Sequence, residues 1–62
     1  MNKLREIRRA KDMTQAELAR MVGSDKSYIS ELERGNLRNP SLGKARLIAH
    51  CLDSTVDEVF PK

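Results

Sequence analysis

Thr14-Gln15-Ala16-Glu17-Leu18-Ala19-Arg20-Met21-Val22-Gly23-Ser24-Asp25-Lys26-Ser27-Tyr28-Ile29-Ser30-Glu31-Leu32-Glu33-Arg34-Gly35 is the stretch that decides the fold. It reads as two helices with a tight turn between them. Thr14 and Glu17 have capping-box spacing: the threonine hydroxyl accepts from the Glu17 backbone N–H, and the glutamate reaches back to the Thr14 N–H. Leu18, Ala19 and Val22 then form an inward stripe. Gly23 stops this helix, because a left-handed residue there costs glycine little. The next helix opens at Asp25, with Ser24 as the alternative cap. Its strongly apolar inward positions are Ile29 and Leu32. Lys26, Ser27, Tyr28, Ser30 and Glu31 are left facing outward, and Gly35 ends it. Two helices joined by so short a turn cannot pack antiparallel and must cross steeply, as in a helix-turn-helix. Ala19 suits that crossing, since a larger side chain would push the following helix away.

The flanks read as helices too. The first runs from about Asn2 to Lys11, with Leu4, Ile7 and Ala10 on one face and Asn2 as N-cap. Asp12 ends it. Asn36-Leu37-Arg38-Asn39-Pro40 is a loop. Ser41 caps a fourth helix, where Leu42, Ala45, Ile48, Ala49 and Leu52 recur at helical spacing, and Asp53 stops it. Thr55 and Glu58 form a second capping box, opening a short last helix with Val56, Val59 and Phe60 inward before Pro61. No stretch alternates as a strand would. The expected architecture is a single all-α domain over residues 1–62, five helices around a core of Leu4, Ile7, Leu18, Ala19, Val22, Ile29, Leu32, Ile48, Ala49, Leu52, Val56 and Val59.

Composition agrees with this and narrows the function. A chain of 62 residues buries a small core. Tyr28 and Phe60 are the only aromatics, so aliphatic residues must build that core, which suits helices. Twelve Lys and Arg against nine Asp and Glu give a net charge of +3, a mild signal for an anionic partner. Cys51 is the only cysteine, so no intrachain disulfide forms and a reducing cytoplasm is expected. No apolar run approaches the roughly 20 residues of a membrane span. The first ten residues alternate charges with single apolar residues, unlike a signal peptide. Ser27, Ser30, Glu31 and His50 include residue types found in hydrolases, but on different helices and without an oxyanion motif or a Gly-rich phosphate loop. His50 has no second ligand at metal spacing. No enzyme activity, cofactor or metal is therefore expected, and Cys51 reads as a small core residue.

Taken together, Leu4-Arg5-Glu6-Ile7-Arg8, Met13 to Ala19, Gly23, Tyr28 to Gly35, Asn39-Pro40-Ser41-Leu42, Ala49-His50-Cys51-Leu52 and Val56 to Phe60 resemble the phage-repressor and Cro type of helix-turn-helix, also called the xenobiotic-response-element class. The resemblance runs from Leu4 to Phe60. It implies a five-helix, lambda-repressor-like bundle whose second and third helices read DNA. The family often carries Gly where this chain has Asp12 and Asp53, an apolar residue at Ser24 and a small one at Tyr28.

An α-helix fits the major groove, where every base pair shows a distinct donor and acceptor pattern, and the N-terminal part of the recognition helix reaches the base edges. The expected base-reading residues are Asp25, Lys26, Ser27, Tyr28 and Glu31. Lys26 can donate to guanine, and Glu31 can accept from cytosine or remain on a solvated face paired with Ser27 or Arg34. Expected phosphate contacts are Gln15 at a helix N-terminus, Arg8, and Arg34, Asn36 and Arg38 just past the recognition helix. The resemblance implies that Gln15 meets the DNA backbone and that Arg8 pairs with Glu33 between the first and third helices. One recognition helix covers few base pairs, so a homodimer on a palindromic operator is expected, with Leu37, Val56 and Phe60 as interface candidates. Leu37 and Phe60 can equally cap the monomer's own core. The function expected is a sequence-specific transcriptional regulator, a repressor, in the cytoplasm and at the nucleoid. The alternatives are an antitoxin or restriction-modification controller of the same fold, and a protein-interaction bundle without DNA binding.

Overall fold

The computed structural model describes residues 2–37 and 40–61. Five helices follow one another: α1 (Leu4–Ala10), α2 (Gln15–Val22), α3 (Lys26–Arg34), α4 (Leu42–Cys51) and α5 (Val56–Val59). No strand occurs among the described residues. The all-α architecture expected from periodicity is the one observed.

The caps explain where the helices begin. The Thr14 hydroxyl accepts from Glu17 N at 3.0 Å, and Glu17 Oε1 accepts from Thr14 N at 2.9 Å. Thr55 and Glu58 repeat this box at 3.2 and 2.9 Å. Asp25 caps α3 and Ser41 caps α4. The one misplaced start is α1. It opens two residues later than Asn2, with Lys3 at the cap position and no side-chain cap bond. Asn2 still serves the end of the helix: its Oδ1 accepts from Leu4 N at 3.1 Å, while its Nδ2 donates to the Leu32 carbonyl at 2.8 Å. One side chain thus satisfies a free N–H of α1 and ties α1 to α3.

Four helices end with the same closure. A backbone N–H reaches back five residues, from Met13 to Arg8 O, Ser24 to Ala19 O, Asn36 to Glu31 O and Ser54 to Ala49 O. Each needs a left-handed residue just before the donor. These are Asp12 (φ 54°), Gly23 (71°), Gly35 (78°) and Asp53 (53°).

The core is continuous and aliphatic: Leu4, Leu18, Ala19, Val22, Ile29, Leu32, Ala45, Ile48, Ala49, Leu52 and Val59, closed by Phe60. Each fully buried Leu, Ile or Val side chain contributes about 1.5–3 kcal/mol relative to exposure. Ile7 and Val56, expected inside, are only half-buried and pack against its edge. On α1 the inward position after Leu4 is taken by Arg8, 7% exposed, rather than by Ile7. Leu42, expected on the inner stripe of α4, is 61% exposed, because the first residue of that helix lies beyond the packed layer. Phe60, an interface candidate, is covered by the chain's own core at 8% exposure. The C-terminal segment is held there by Lys3 N donating to Val59 O at 2.8 Å.

Candidate nucleic-acid interface

The site rests on α3, whose inner and outer faces differ sharply. Inward, Ile29 and Leu32 are buried against the core. Beside them the Glu33 side chain is completely covered. Its carboxylate collects four donors: Arg8 Nε at 2.6 Å, Gln15 Nε2 at 3.0 Å, Arg8 Nη2 at 3.2 Å and Arg5 Nε at 3.3 Å. Arg8 spends its remaining terminal nitrogen on the Met13 carbonyl at 2.6 Å. The Arg8–Glu33 pair implied by the family resemblance is therefore present. Arg5 and Gln15 join it, which the sequence did not reveal. Burial pushes the Glu33 carboxyl up, but the hydrogen bonds from Arg8 and Gln15, the Arg8 charge and the bond from Arg5 together hold it below the usual glutamate range. The cluster joins α1, α2 and α3 at one point, fixing the crossing of the helix-turn-helix pair.

Outward, Lys26 and Ser27 are exposed at the N-terminal end of α3. With Ser30, Glu31 and Arg34 they line a shallow depression of about 320 Å³. Glu31 is half-exposed and already engaged: its Oε2 accepts from Asn36 Nδ2 at 2.8 Å, and Oε1 lies 3.8 Å from Arg34 Nη1. That places Asn36 and Arg34 beside the outer face of α3.

The other expected base readers sit differently. Asp25 uses Oδ1 to accept from Tyr28 N at 2.9 Å, so this side chain is the helix cap. Tyr28 is half-buried against the core, with Lys44 Nζ 5.9 Å from its ring centroid. Burial raises the pKa of its hydroxyl. Lys44 reaches from α4 to the end of α2, where its Nζ donates to the Val22 carbonyl at 3.4 Å. Tyr28 thus packs at the junction of α3 with α4 and stays partly exposed.

Among the expected phosphate contacts, Gln15 and Arg8 come together on Glu33, while Arg34 and Asn36 are exposed at the end of α3. Arg38 lies outside the described residues. Of the interface candidates, Leu37 is 43% exposed and Val56 half-buried. Sequence reasoning passed over Arg5 and Arg9, which share a helix edge at i, i+4 spacing; that spacing was the available signal. His50 is exposed on α4, and no cluster of metal-ligating side chains occurs among the described residues. No described helix is long and apolar enough to cross a membrane.

Comparison with known proteins agrees with this geometry. Residues 4–59 match the helix-turn-helix family. An uncharacterized HTH-type transcriptional regulator of Archaeoglobus fulgidus is 40% identical over 58 residues, which cover 94% of this chain and 81% of the relative. The restriction-modification controller protein C.AhdI from Aeromonas hydrophila superposes with a TM-score of 0.83 at 43% identity, over 94% of this chain and 83% of that one. SinR, the master regulator for biofilm formation, superposes in its complex with DNA with a TM-score of 0.80 at 33% identity, over 87% of this chain and 86% of that one. In the SinR–SinI protein complex the TM-score is 0.86 at 30% identity over 97% of this chain, which spans 58% of the chain it matches there. The chain belongs to the helix-turn-helix family and has its lambda-repressor-like fold.

Proposed function

We propose that this chain is a sequence-specific DNA-binding transcriptional regulator that places α3 in the major groove of an operator. The observation that carries this is the division of α3. Its inner face is fixed to α1 and α2 through Ile29, Leu32 and the covered Glu33, while Lys26, Ser27, Ser30 and Arg34 remain available along its outer face. A rigid helix with an open polar face is what groove reading requires. The similarity to SinR, solved in complex with DNA, supports the same use. This is a binding module rather than an enzyme. It reads DNA with Lys26 and Ser27 and grips phosphates with Gln15, Arg34, Asn36 and Arg38. As one helix reads few base pairs, two copies bind half-sites about 34 Å apart. Leu37, one of several exposed apolar side chains, lies in the loop after α3 and is the one we assign to their contact.

The 43% identity to a restriction-modification controller protein favours a second reading, in which the regulator serves as such a controller. Both readings share the DNA-binding step. Titration against random and selected DNA at low and moderate salt tests that step. Binding that weakens steeply with salt and prefers selected sites supports it; no preference among sites refutes sequence-specific regulation. Sedimentation of the operator complex checks assembly, since one chain per operator with full affinity for a half-site refutes the dimer.

A further inference from the structure

The turn between α1 and α2 borders an open cleft of about 700 Å³. Four cationic side chains, Arg5, Arg8, Arg9 and Lys26, line it together with Gln15; Asp12 is the one carboxylate in its wall. The four cations are not equivalent. Arg8 is covered and committed to Glu33 and the Met13 carbonyl. Arg5 touches Glu33 through a single nitrogen at 3.3 Å and keeps 55% of its side chain exposed. Arg9 is exposed and makes no ion pair or side-chain hydrogen bond among the described residues. Lys26 closes the cleft on the α3 side and also borders the depression on the outer face of α3. The cleft is therefore continuous with the reading face, and its charge is not neutralised by its own walls.

The geometry points to an extension of the DNA contact onto α1: Arg9, with Arg5, binds a backbone phosphate in this cleft, beside the helix-turn-helix pair. This rests on the DNA-binding reading above and adds α1 to its footprint. One carboxylate, Glu33, serves two guanidiniums, so Arg5 can turn to a phosphate while Arg8 keeps the cluster intact. The i, i+4 spacing of Arg5 and Arg9 puts both guanidiniums on one edge of the helix, as two points along a phosphate rail require. Contacts of this kind carry no sequence information and appear as salt dependence.

The test is the slope of log affinity against log salt concentration, measured for the unaltered chain, Arg9→Gln and Arg46→Gln on selected and on random duplex DNA. Arg46 is an exposed arginine of α4 that does not line the cleft. Arg9→Gln is expected to reduce the slope by about 0.9 per bound chain, equally on both DNAs, with an unchanged melting temperature. Arg46→Gln is expected to leave the slope as it was. An unchanged slope for Arg9→Gln, a loss confined to the selected site, or an equal drop for Arg46→Gln would overturn the extension while leaving the DNA-binding reading in place. Absence of DNA binding by the unaltered chain would overturn both.

Discussion

Glu31 and Glu33 stand two residues apart on α3 and live in opposite environments. Glu33 has no exposed side-chain surface and is held by donors from two other helices. Glu31 keeps 39% of its side chain exposed and meets partners from its own helix and the residues just after it. The contrast separates two jobs carried by one helix. The inner face sets where α3 sits; the outer face is what α3 presents. A carboxylate on the first face is part of the architecture, and one on the second stays within reach of solvent and ligands.

Breaking the inner face should have the largest effect. Glu33→Ala leaves the covered Arg8 guanidinium without its partner, and removing one member of a buried pair costs about 3–5 kcal/mol. A domain of this size holds only about 3–9 kcal/mol in total, so the variant should lose at least about a third of its stability, seen as a steep fall in urea midpoint and melting temperature by circular dichroism. A loss below about 1 kcal/mol would mean that the cluster does not hold the helices together.

On the outer face, Lys26→Ala should leave stability within about 0.5 kcal/mol and cost about 1–3 kcal/mol of binding on the selected site. Equal weakening on random DNA would move Lys26 from base reading to the phosphate cleft that it also borders.

Acid sharpens the comparison without a mutation. The Glu33 carboxyl is held below its usual range in the folded state, so its contribution to stability is fully present above the unfolded glutamate value. It is lost as the pH falls through the lower folded value, in the region below about pH 4. Glu17 is also lowered, by its hydrogen bonds with Thr14, so the raw acid profile contains both groups. The difference between the unaltered chain and Glu33→Gln isolates the inner carboxylate. Identical slopes between pH 2 and 5 would count against the assignment.

What the sequence made legible follows from how local each feature is. Capping boxes and glycine stops lie within a few residues, so the starts of α2 and α5 and the ends at Gly23 and Gly35 could be read directly. Asp12 and Asp53 were legible as stops. Their left-handed geometry, shared with the two glycines, is a finding of the structure: the four closures are alike, and aspartate tolerates the conformation better than most side chains. The Glu33 cluster joins residues 18 to 28 positions apart, and no local periodicity encodes that. Apolar spacing accordingly placed Ile7 inside, where Arg8 is. Asp25 has a second role that the sequence left open for a related reason. The same short carboxylate suits a groove contact and an N-cap, and the structure shows one of its oxygens, Oδ1, engaged in the cap.

The smallest expected effect completes the comparison. Glu31→Ala removes the same functional group as Glu33→Ala, from the same helix, yet should change stability by no more than about 0.5 kcal/mol. Its ion pair with Arg34 is long and solvated, and such pairs contribute about 0–1 kcal/mol at most. The hydrogen bond from Asn36 is exposed on the same side, so water replaces the carboxylate when it is lost. No buried donor is orphaned, in contrast to Arg8. The consequence should appear in binding instead. Loss of a negative charge from the reading face frees Arg34 and Asn36 for phosphate and lowers repulsion, so affinity for random DNA should rise. If Glu31 accepts from a cytosine, affinity for the selected site should fall at the same time, and discrimination between the two should narrow. Parallel melting curves and titrations on both DNAs decide this. A destabilisation approaching that of Glu33→Ala would abolish the distinction between the two faces, and a rise in affinity of equal size on both DNAs would leave Glu31 as a repelling charge without a base contact.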